Sequence, residues 1–180
     1  MPGFLPYPAE MVCTSESMNI TFTTVTRKDL PAINRIYTWY IENSTATFHT
    51  EPVRDEELLD FLYIDHPRFK SFLIHDESRL IGYCFLTAYK KRQAYDRTAE
   101  VTVYLDHDYR GKGVGRLALA HLEETARAVG IKNLLAIISG DNVNSIRLFE
   151  NSGYEKCAHF KNVGEKFGTV LDVVGYQKQI

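Results

Sequence analysis

The run Arg110-Gly-Lys-Gly-Val-Gly-Arg116 constrains this chain more than any other feature. It follows residues 98–106 (TAEVTVYLD), whose apolar and polar positions alternate with period two, as in a half-buried strand. It leads into residues 113–129, where Val114, Leu117, Ala118, His121, Leu122, Thr125 and Val129 share one side of an amphipathic helix. Gly130 suits the C-terminal cap of that helix. A glycine turn between a strand and a helix presents unpaired helix amides at the end of a sheet, a geometry made for an anion.

Besides an ordinary glycine-rich connection, three ligand motifs compete for this turn. The P-loop pattern G-x-x-x-x-G-K-[ST] is absent. Gly113-Val-Gly115-Arg-Leu-Ala118 satisfies the dinucleotide fingerprint G-x-G-x-x-A, with Asp141 lying 23 residues beyond Ala118. Against it, five residues, 107–111, lengthen the turn, about a hundred residues precede it, and only 39 follow Asp141. That leaves little room for the remaining units of a dinucleotide fold. The third pattern is the acyl-CoA pyrophosphate site R-x-x-G-x-G, matched by Arg110, Gly113 and Gly115. Its physics is direct: glycine lets backbone N–H groups approach a pyrophosphate without an intervening Cβ, and Arg110, Lys112 and Arg116 add countercharge.

The rest of the chain reads as a single domain over residues 18–180, preceded by an aperiodic arm, 1–17, that the fold should not need. Spacing predicts a strand over 20–26, then a helix capped by Asp29 with Leu30, Ile33, Ile36, Tyr37, Tyr40 and Ile41 on one face. A second helix is predicted over 54–64, ended by His66-Pro67. Residues 71–75 and 80–89 form a hairpin around a polar turn, 134–138 is a buried parallel strand and 142–152 a helix. Two further strands close the chain around a turn at 164–168. The fold class is therefore α/β (α+β), a mixed sheet with helices on both faces.

A net charge of −2 excludes general attraction to nucleic acid or to anionic membrane, and no apolar run approaches the ~20 residues of a membrane span. Cys13, Cys84 and Cys157 have neither disulfide-framework nor zinc spacing, and the opening MPGFLPYPAEMVC lacks a basic region. A cytoplasmic location is expected. The six histidines show no ligand spacing, so no metal is expected, and His107 and Asp108 read as polar turn residues.

The glycine turn, the strand after it, and then Asn142-Val-Asn144-Ser145-x-x-Leu148-Phe-Glu-x-x-Gly153-Tyr154 resemble the GNAT acetyltransferase signature. Ile36-Tyr-x-x-Tyr40-Ile-x-x-Ser44-x-Ala-Thr-Phe48-x-Thr50-Glu51-Pro52 is similar to the first-helix region of the phosphinothricin and methionine sulfone acetyltransferase branch. So are Lys90-x-Arg92-x-Ala94-Tyr95-Asp96-x-Thr98-x-Glu100 with the Tyr104 that follows, and Gly164-x-Lys166-x-Gly168-x-x-x-Asp172-Val173. Together these motifs cover nearly all of residues 18–177.

The resemblance implies a splayed sheet of about seven strands, with acetyl-CoA between the strand at 98–106 and that at 134–138. Its pantetheine would pair with the backbone of Val103 and Leu105. Its pyrophosphate would lie on Arg110, Gly111, Lys112, Gly113, Val114, Gly115 and Arg116, and Asn142 would add a contact. The implied product is the N-acetyl derivative of a small amino-acid-like amine, held by Lys90, Arg92, Tyr95 and Tyr104. Arg92 suits an acceptor carboxylate or phosphinate. The implied assembly is a homodimer, and 21 Phe and Tyr residues could furnish an apolar interface.

An alkyl ammonium with pKa ~10 is only about 0.1% neutral at pH 7, so transfer benefits from a general base, and Glu100 stands at the family's glutamate position. Phe149 occupies the position where relatives have a tyrosine or histidine acid, and it cannot donate a proton. Either Tyr104 or Tyr154 replaces it, or the thiolate departs unaided, as a group with a thiol pKa of ~8.5 can.

Overall fold

The computed structural model describes residues 18–180; the arm at 1–17 lies outside the described residues. The elements in chain order are β1 (Ile20–Thr24), α1 (Leu30–Asn43), β2 (Ser71–Asp76), β3 (Arg79–Ala88), β4 (Thr98–Leu105), α2 (Val114–Ala128), β5 (Asn133–Ser139), α3 (Val143–Asn151), β6 (Glu155–Lys166) and β7 (Thr169–Gln179). The seven strands form one sheet in the order β1-β2-β3-β4-β5-β7-β6. Every neighbouring pair is antiparallel except β4 with β5.

Period-two alternation divides the sheet between two cores. Cys84 and Leu86 of β3, with Ala99 and Val101 of β4, pack with Ala118, Leu119 and Leu122 of α2. Tyr83 and Phe85 of β3 turn to the other face and pack with Ile33, Tyr37 and Ile41 of α1, where Tyr104 of β4 joins them. The apolar stripes of α1 and α2 thus cover opposite faces, the arrangement expected from the order of the elements.

Three local expectations change. Residues 54–64 form only a 3-10 turn, Asp55–Asp60. Leu58 and Leu62 are buried on the α1 side, but Phe61 leaves helical geometry (φ −130°) and the Tyr63 amide bonds the Ser71 Oγ at 3.1 Å. A side chain from β2 therefore supplies what a helical carbonyl would have, and the helix does not propagate. At α1, Asp29 does not cap the helix with its side chain; its carboxylate accepts from the Thr26 amide (2.8 Å) and hydroxyl (2.7 Å), which ends β1 early and starts a 3-10 turn before the helix. Gly164 lies inside β6, and the β6–β7 turn is Phe167-Gly168 with φ of 53° and 71°. Two successive left-handed residues make the tight hairpin turn that matches strand twist.

Candidate active site

The parallel pairing of β4 with β5 covers only three positions, Thr98 with Asn133, Ala99 with Leu134 and Glu100 with Leu135. Beyond Glu100 the strands part and leave a fork. The Asp106 amide donates to the Ile81 carbonyl at 2.7 Å. Alternation along β4 therefore turns the backbone of Tyr104, Thr102 and Glu100 toward β3, and that of Val101, Val103 and Leu105 toward the fork. The Leu105 carbonyl already accepts the Tyr40 hydroxyl at 2.6 Å, so it enters the fork with one lone pair engaged. Backbone groups inside a protein need partners, and an extended ligand bearing amides can supply them.

The glycine turn follows β4. Gly111 and Gly113 have φ of 75° and 86°, and a Cβ on either would meet nothing within 4 Å. Glycine is needed there for the left-handed backbone, with open space beside it. Gly113 caps α2 with no side chain, and the first turn of α2 has no acidic residue. The leading amides of this helix therefore meet neither a capping oxygen nor a repelling carboxylate. Gly115 differs: it is buried, and a Cβ there would stand 2.9 Å from Leu148 Cδ2, so it lets α2 approach α3.

Around the turn, Arg110, Lys112 and Arg116 are exposed. The Arg110 guanidinium lies 4.9 Å from the Trp39 ring centre with Nε donating to the His107 carbonyl, and the Lys112 ammonium lies 4.9 Å from that of Tyr109. Asn142 caps α3, its Oδ1 accepting from the Ser145 amide at 3.2 Å, which leaves its Nδ2 as the donor for a ligand. Beside it an open polar cleft of about 370 Å³ separates α3 from the end of α1, lined by Asn43, Thr45, Asp141, Asn142, Asn144 and Phe167. Uncapped helix amides, three cations and a strand with free backbone fit a pyrophosphate joined to an amide-bearing arm, the make-up of acetyl-CoA.

Glu100 is the last paired residue before the fork opens. Burial raises its carboxyl pKa above the ordinary value, and the nearby Lys90 charge partly lowers it. A carboxylate shifted in this direction is a stronger base near neutrality. Lys90, Arg92 and Tyr95 are exposed on the loop joining β3 to β4, where Tyr95 packs edge-on against Tyr89 at 5.6 Å and Lys90 lies 5.0 Å from the same ring centre. The structure brings Lys90 near Glu100.

Tyr104 is placed elsewhere, about 13 Å along the strand from Glu100 at ~3.3 Å per residue. Its ring packs against Tyr37, Tyr40 and Tyr83 at 5.5, 5.0 and 5.3 Å, and its hydroxyl donates to the Ala46 carbonyl at 3.4 Å. Burial raises its pKa well beyond the ordinary tyrosine value. Tyr154 stacks edge-on to the buried Phe149 at 5.0 Å, and burial and then the Glu123 charge raise its pKa as well. Both shifts hold the proton on the hydroxyl more tightly than in an exposed tyrosine.

Sequence reasoning missed a set of ties around the end of α1. Lys166 Nζ donates to the carbonyls of Ser44 (2.7 Å), Thr47 (2.9 Å) and Tyr40 (3.4 Å), and the Thr45 hydroxyl bonds both carboxylate oxygens of Asp141 at 2.9 Å. The one available signal was Lys166 itself, a charged residue between two hairpin glycines.

This splayed sheet and uncapped helix define an acyl-CoA transferase fold, and residues 22–174 match the family described as an acetyltransferase (GNAT) domain. The chain belongs to that family and is an acetyl-CoA-dependent N-acetyltransferase. It is 34% identical over 153 residues to the phosphinothricin N-acetyltransferase of Streptomyces viridochromogenes, covering 85% of this chain and 84% of that one. It is 31% identical over 151 residues to the L-methionine sulfoximine/L-methionine sulfone acetyltransferase of Pseudomonas paraeruginosa, covering 83% and 88%.

Among solved structures, a GNAT superfamily phosphinothricin acetyltransferase from Sinorhizobium meliloti in complex with AcCoA superposes with TM-score 0.84 at 30% identity, covering 91% of this chain and 89% of that one. A ribosomal-protein-alanine N-acetyltransferase from Brucella melitensis superposes with TM-score 0.80 at 32% identity, covering 89% and 99%. Among the described residues no helix is long and apolar enough to cross a membrane.

Proposed function

We propose that the chain acetylates the amino group of a small amino-acid-like acceptor, of the phosphinothricin or methionine sulfone/sulfoximine kind, with Glu100 as general base. The observation that carries this reading is the place of Glu100, a carboxylate with a raised pKa at the point where β4 leaves β5, with Lys90 close by. Glu100, directly or through a water, takes one proton from the acceptor ammonium. The neutral nitrogen attacks the thioester carbon; the C–N bond forms, and the C–S bond breaks as the tetrahedral intermediate collapses. A second proton leaves the nitrogen and neutralises the CoA thiolate directly or by way of solvent, so no side-chain acid at position 149 is required. Lys90, Arg92 and Tyr95 hold the anionic group of the acceptor on the loop before β4.

The pyrophosphate of acetyl-CoA lies on the residues from Arg110 to Arg116, its pantetheine runs along Val103 and Leu105, and Asn142 contributes its amide nitrogen. The test is an assay of acetyl-CoA consumption against a panel of amino acids, their sulfone and sulfoximine analogues, phosphinothricin, and peptides beginning with alanine. Turnover of the small anionic amines supports the reading. Preference for the peptides would instead favour protein N-terminal acetylation, the activity named for the Brucella structure.

The assembly we propose is a homodimer built on the β6–β7 hairpin. Phe160, Val163, Phe167 and Val170 are each more than half exposed there, and β6 is an edge strand. A long apolar edge invites pairing. Sedimentation at micromolar protein concentration tests it, a monomer being the contrary result. The arm at 1–17 is dispensable in this reading and the location cytoplasmic.

A further inference from the structure

Among the described residues two charged side chains are buried, Glu123 and Lys166. Glu123 has conventional partners: Lys178 Nζ bonds both its oxygens at 2.8 Å and Arg127 lies at 3.5 Å. Lys166, only 3% exposed, directs its three protons to the carbonyls of Tyr40, Ser44 and Thr47. Those carbonyls lie at the C-terminal end of α1 and in the segment after it, where the helix dipole is negative. Burial lowers the Lys166 pKa from its ordinary value, and the three carbonyl dipoles offset part of the desolvation of the ammonium. A helix C-terminus in water needs no such device, since a glycine or an exposed lysine suffices.

What distinguishes this helix end is where its continuation runs. Residues 40–47 are bonded to the end of β4 through the Tyr40 hydroxyl on the Leu105 carbonyl, and through the Tyr104 hydroxyl on the Ala46 carbonyl. They are bonded to the loop after β5 through Thr45 on Asp141. Tyr37 fixes the same stretch from within α1, its hydroxyl bonded to Thr47 Oγ1 at 2.6 Å and His49 Nδ1 at 2.7 Å. The segment is thus a strap across the mouth of the fork, on the sheet face that carries α1 and Tyr104. The α2 helix, whose leading amides serve acetyl-CoA in the reading above, packs on the opposite face.

We propose that Lys166 is a positioning residue for the acceptor amine: by holding the strap from the β6–β7 hairpin it sets the shape of the fork on the α1 face, whereas the leading amides of α2, which hold the pyrophosphate in that reading, lie on the other face and keep their aim. This rests on the functional reading given above. A wall that drifts by about 1 Å is enough to lose on the order of a hundred-fold in productive orientation.

The experiment compares wild type with Lys166→Met and Lys166→Arg, using the best amine from the acceptor panel. The expected result for Lys166→Met is an acceptor KM raised on the order of ten- to a hundred-fold, with Kd for acetyl-CoA by calorimetry kept within about two-fold. Lys166→Arg, which keeps a charge and several donors, should recover part of the acceptor KM. Hydrogen exchange at the amides of residues 44–49 should accelerate in Lys166→Met while α2 keeps its protection. If Lys166→Met does not fold, Lys166→Gln supplies the same readouts.

An unchanged acceptor KM, or a parallel loss of acetyl-CoA affinity, overturns the proposal and makes Lys166 a staple of the fold. A wild-type enzyme that acetylates none of the amines overturns the functional reading, and the acceptor role of Lys166 with it. The exchange measurement still decides independently whether Lys166 holds the strap.

Discussion

Strand β5 has two edges, and they are used differently. Against β7 it pairs at all seven positions from Asn133 to Ser139; against β4 it stops after Leu135. The first edge satisfies its backbone within the protein, as a buried sheet must. The second leaves main-chain groups of β4 facing a gap inside the molecule. The same strand therefore serves as scaffold on one side and as half of a binding fork on the other. The side chain with the most relevant chemistry, Glu100, stands where the change occurs. In the proposed reading, recognition of the donor uses backbone left free, whereas activation of the acceptor amine relies on one carboxylate at the closed end.

That division predicts separable losses, the largest at the closed end. Glu100→Gln keeps shape and cofactor contacts, so Kd for acetyl-CoA should hold while kcat near neutral pH falls by about 10²–10⁴-fold, or roughly 3–5 kcal/mol of barrier. The deficit should shrink as pH rises, because bulk solvent then supplies the neutral amine. A variant with near-normal turnover at neutral pH would remove Glu100 from the mechanism, and one that lost acetyl-CoA affinity instead would erase the distinction between the two ends.

At the open end the two glycines on either side of Val114 give contrasting tests. Gly113 has a φ of 86°, and Gly113→Val forces a β-branched residue into that strained region at roughly 1–3 kcal/mol. If the turn straightens to relieve the strain, the helix amides lose their aim, and acetyl-CoA should bind about ten- to a hundred-fold more weakly with acceptor KM little changed. Gly115→Ala instead presses on Leu148 Cδ2 at 2.9 Å, a packing fault costing about 1 kcal/mol or somewhat more. It should lower Tm by several degrees and affect acetyl-CoA binding less than Gly113→Val. If the two variants exchanged these signatures in melting and calorimetry, the assignment of one glycine to the ligand and the other to the α2–α3 contact would be reversed.

How much of this was legible beforehand depended on how local each signal was. The alternation of β4, the glycine turn and the stripe of α2 lie within about thirty consecutive residues, and each names its own structure. The failed helix at 54–64 had good helical spacing at Leu58 and Leu62, but its continuation was decided by Ser71 on another element. Nothing in the sequence around Tyr104 shows that Tyr37 and Tyr40, brought from α1, pack against its ring. Lys166 binds carbonyls 119 to 126 positions earlier in the chain, and carbonyls carry no sequence signature. Patterns reveal elements; they do not reveal which backbone groups those elements leave for one another.

The smallest effect expected is on stability, and its sign follows from the same feature that suits Glu100 to the proposed role of base. Burial holds its folded pKa above the ordinary value of 4.5, so the folded state takes up the Glu100 proton more readily than the unfolded chain does. The stability this contributes is present in full below the unfolded pKa and is lost as pH rises through the folded one. At neutral pH the wild-type enzyme therefore carries a partly desolvated carboxylate that Glu100→Gln lacks. The variant should melt slightly higher than wild type near pH 7, and the difference should close as both are acidified to about pH 4. Lys90 offsets part of the penalty, so a Lys90→Met background should widen the gap between Glu100→Gln and its parent. Thermal melts without acetyl-CoA, taken across that range, measure both trends. A Glu100→Gln variant that melted lower at neutral pH would mean that Glu100 is held by favourable partners and serves the fold. One that melted higher while losing turnover would place Glu100 among the residues whose strain is retained for activity.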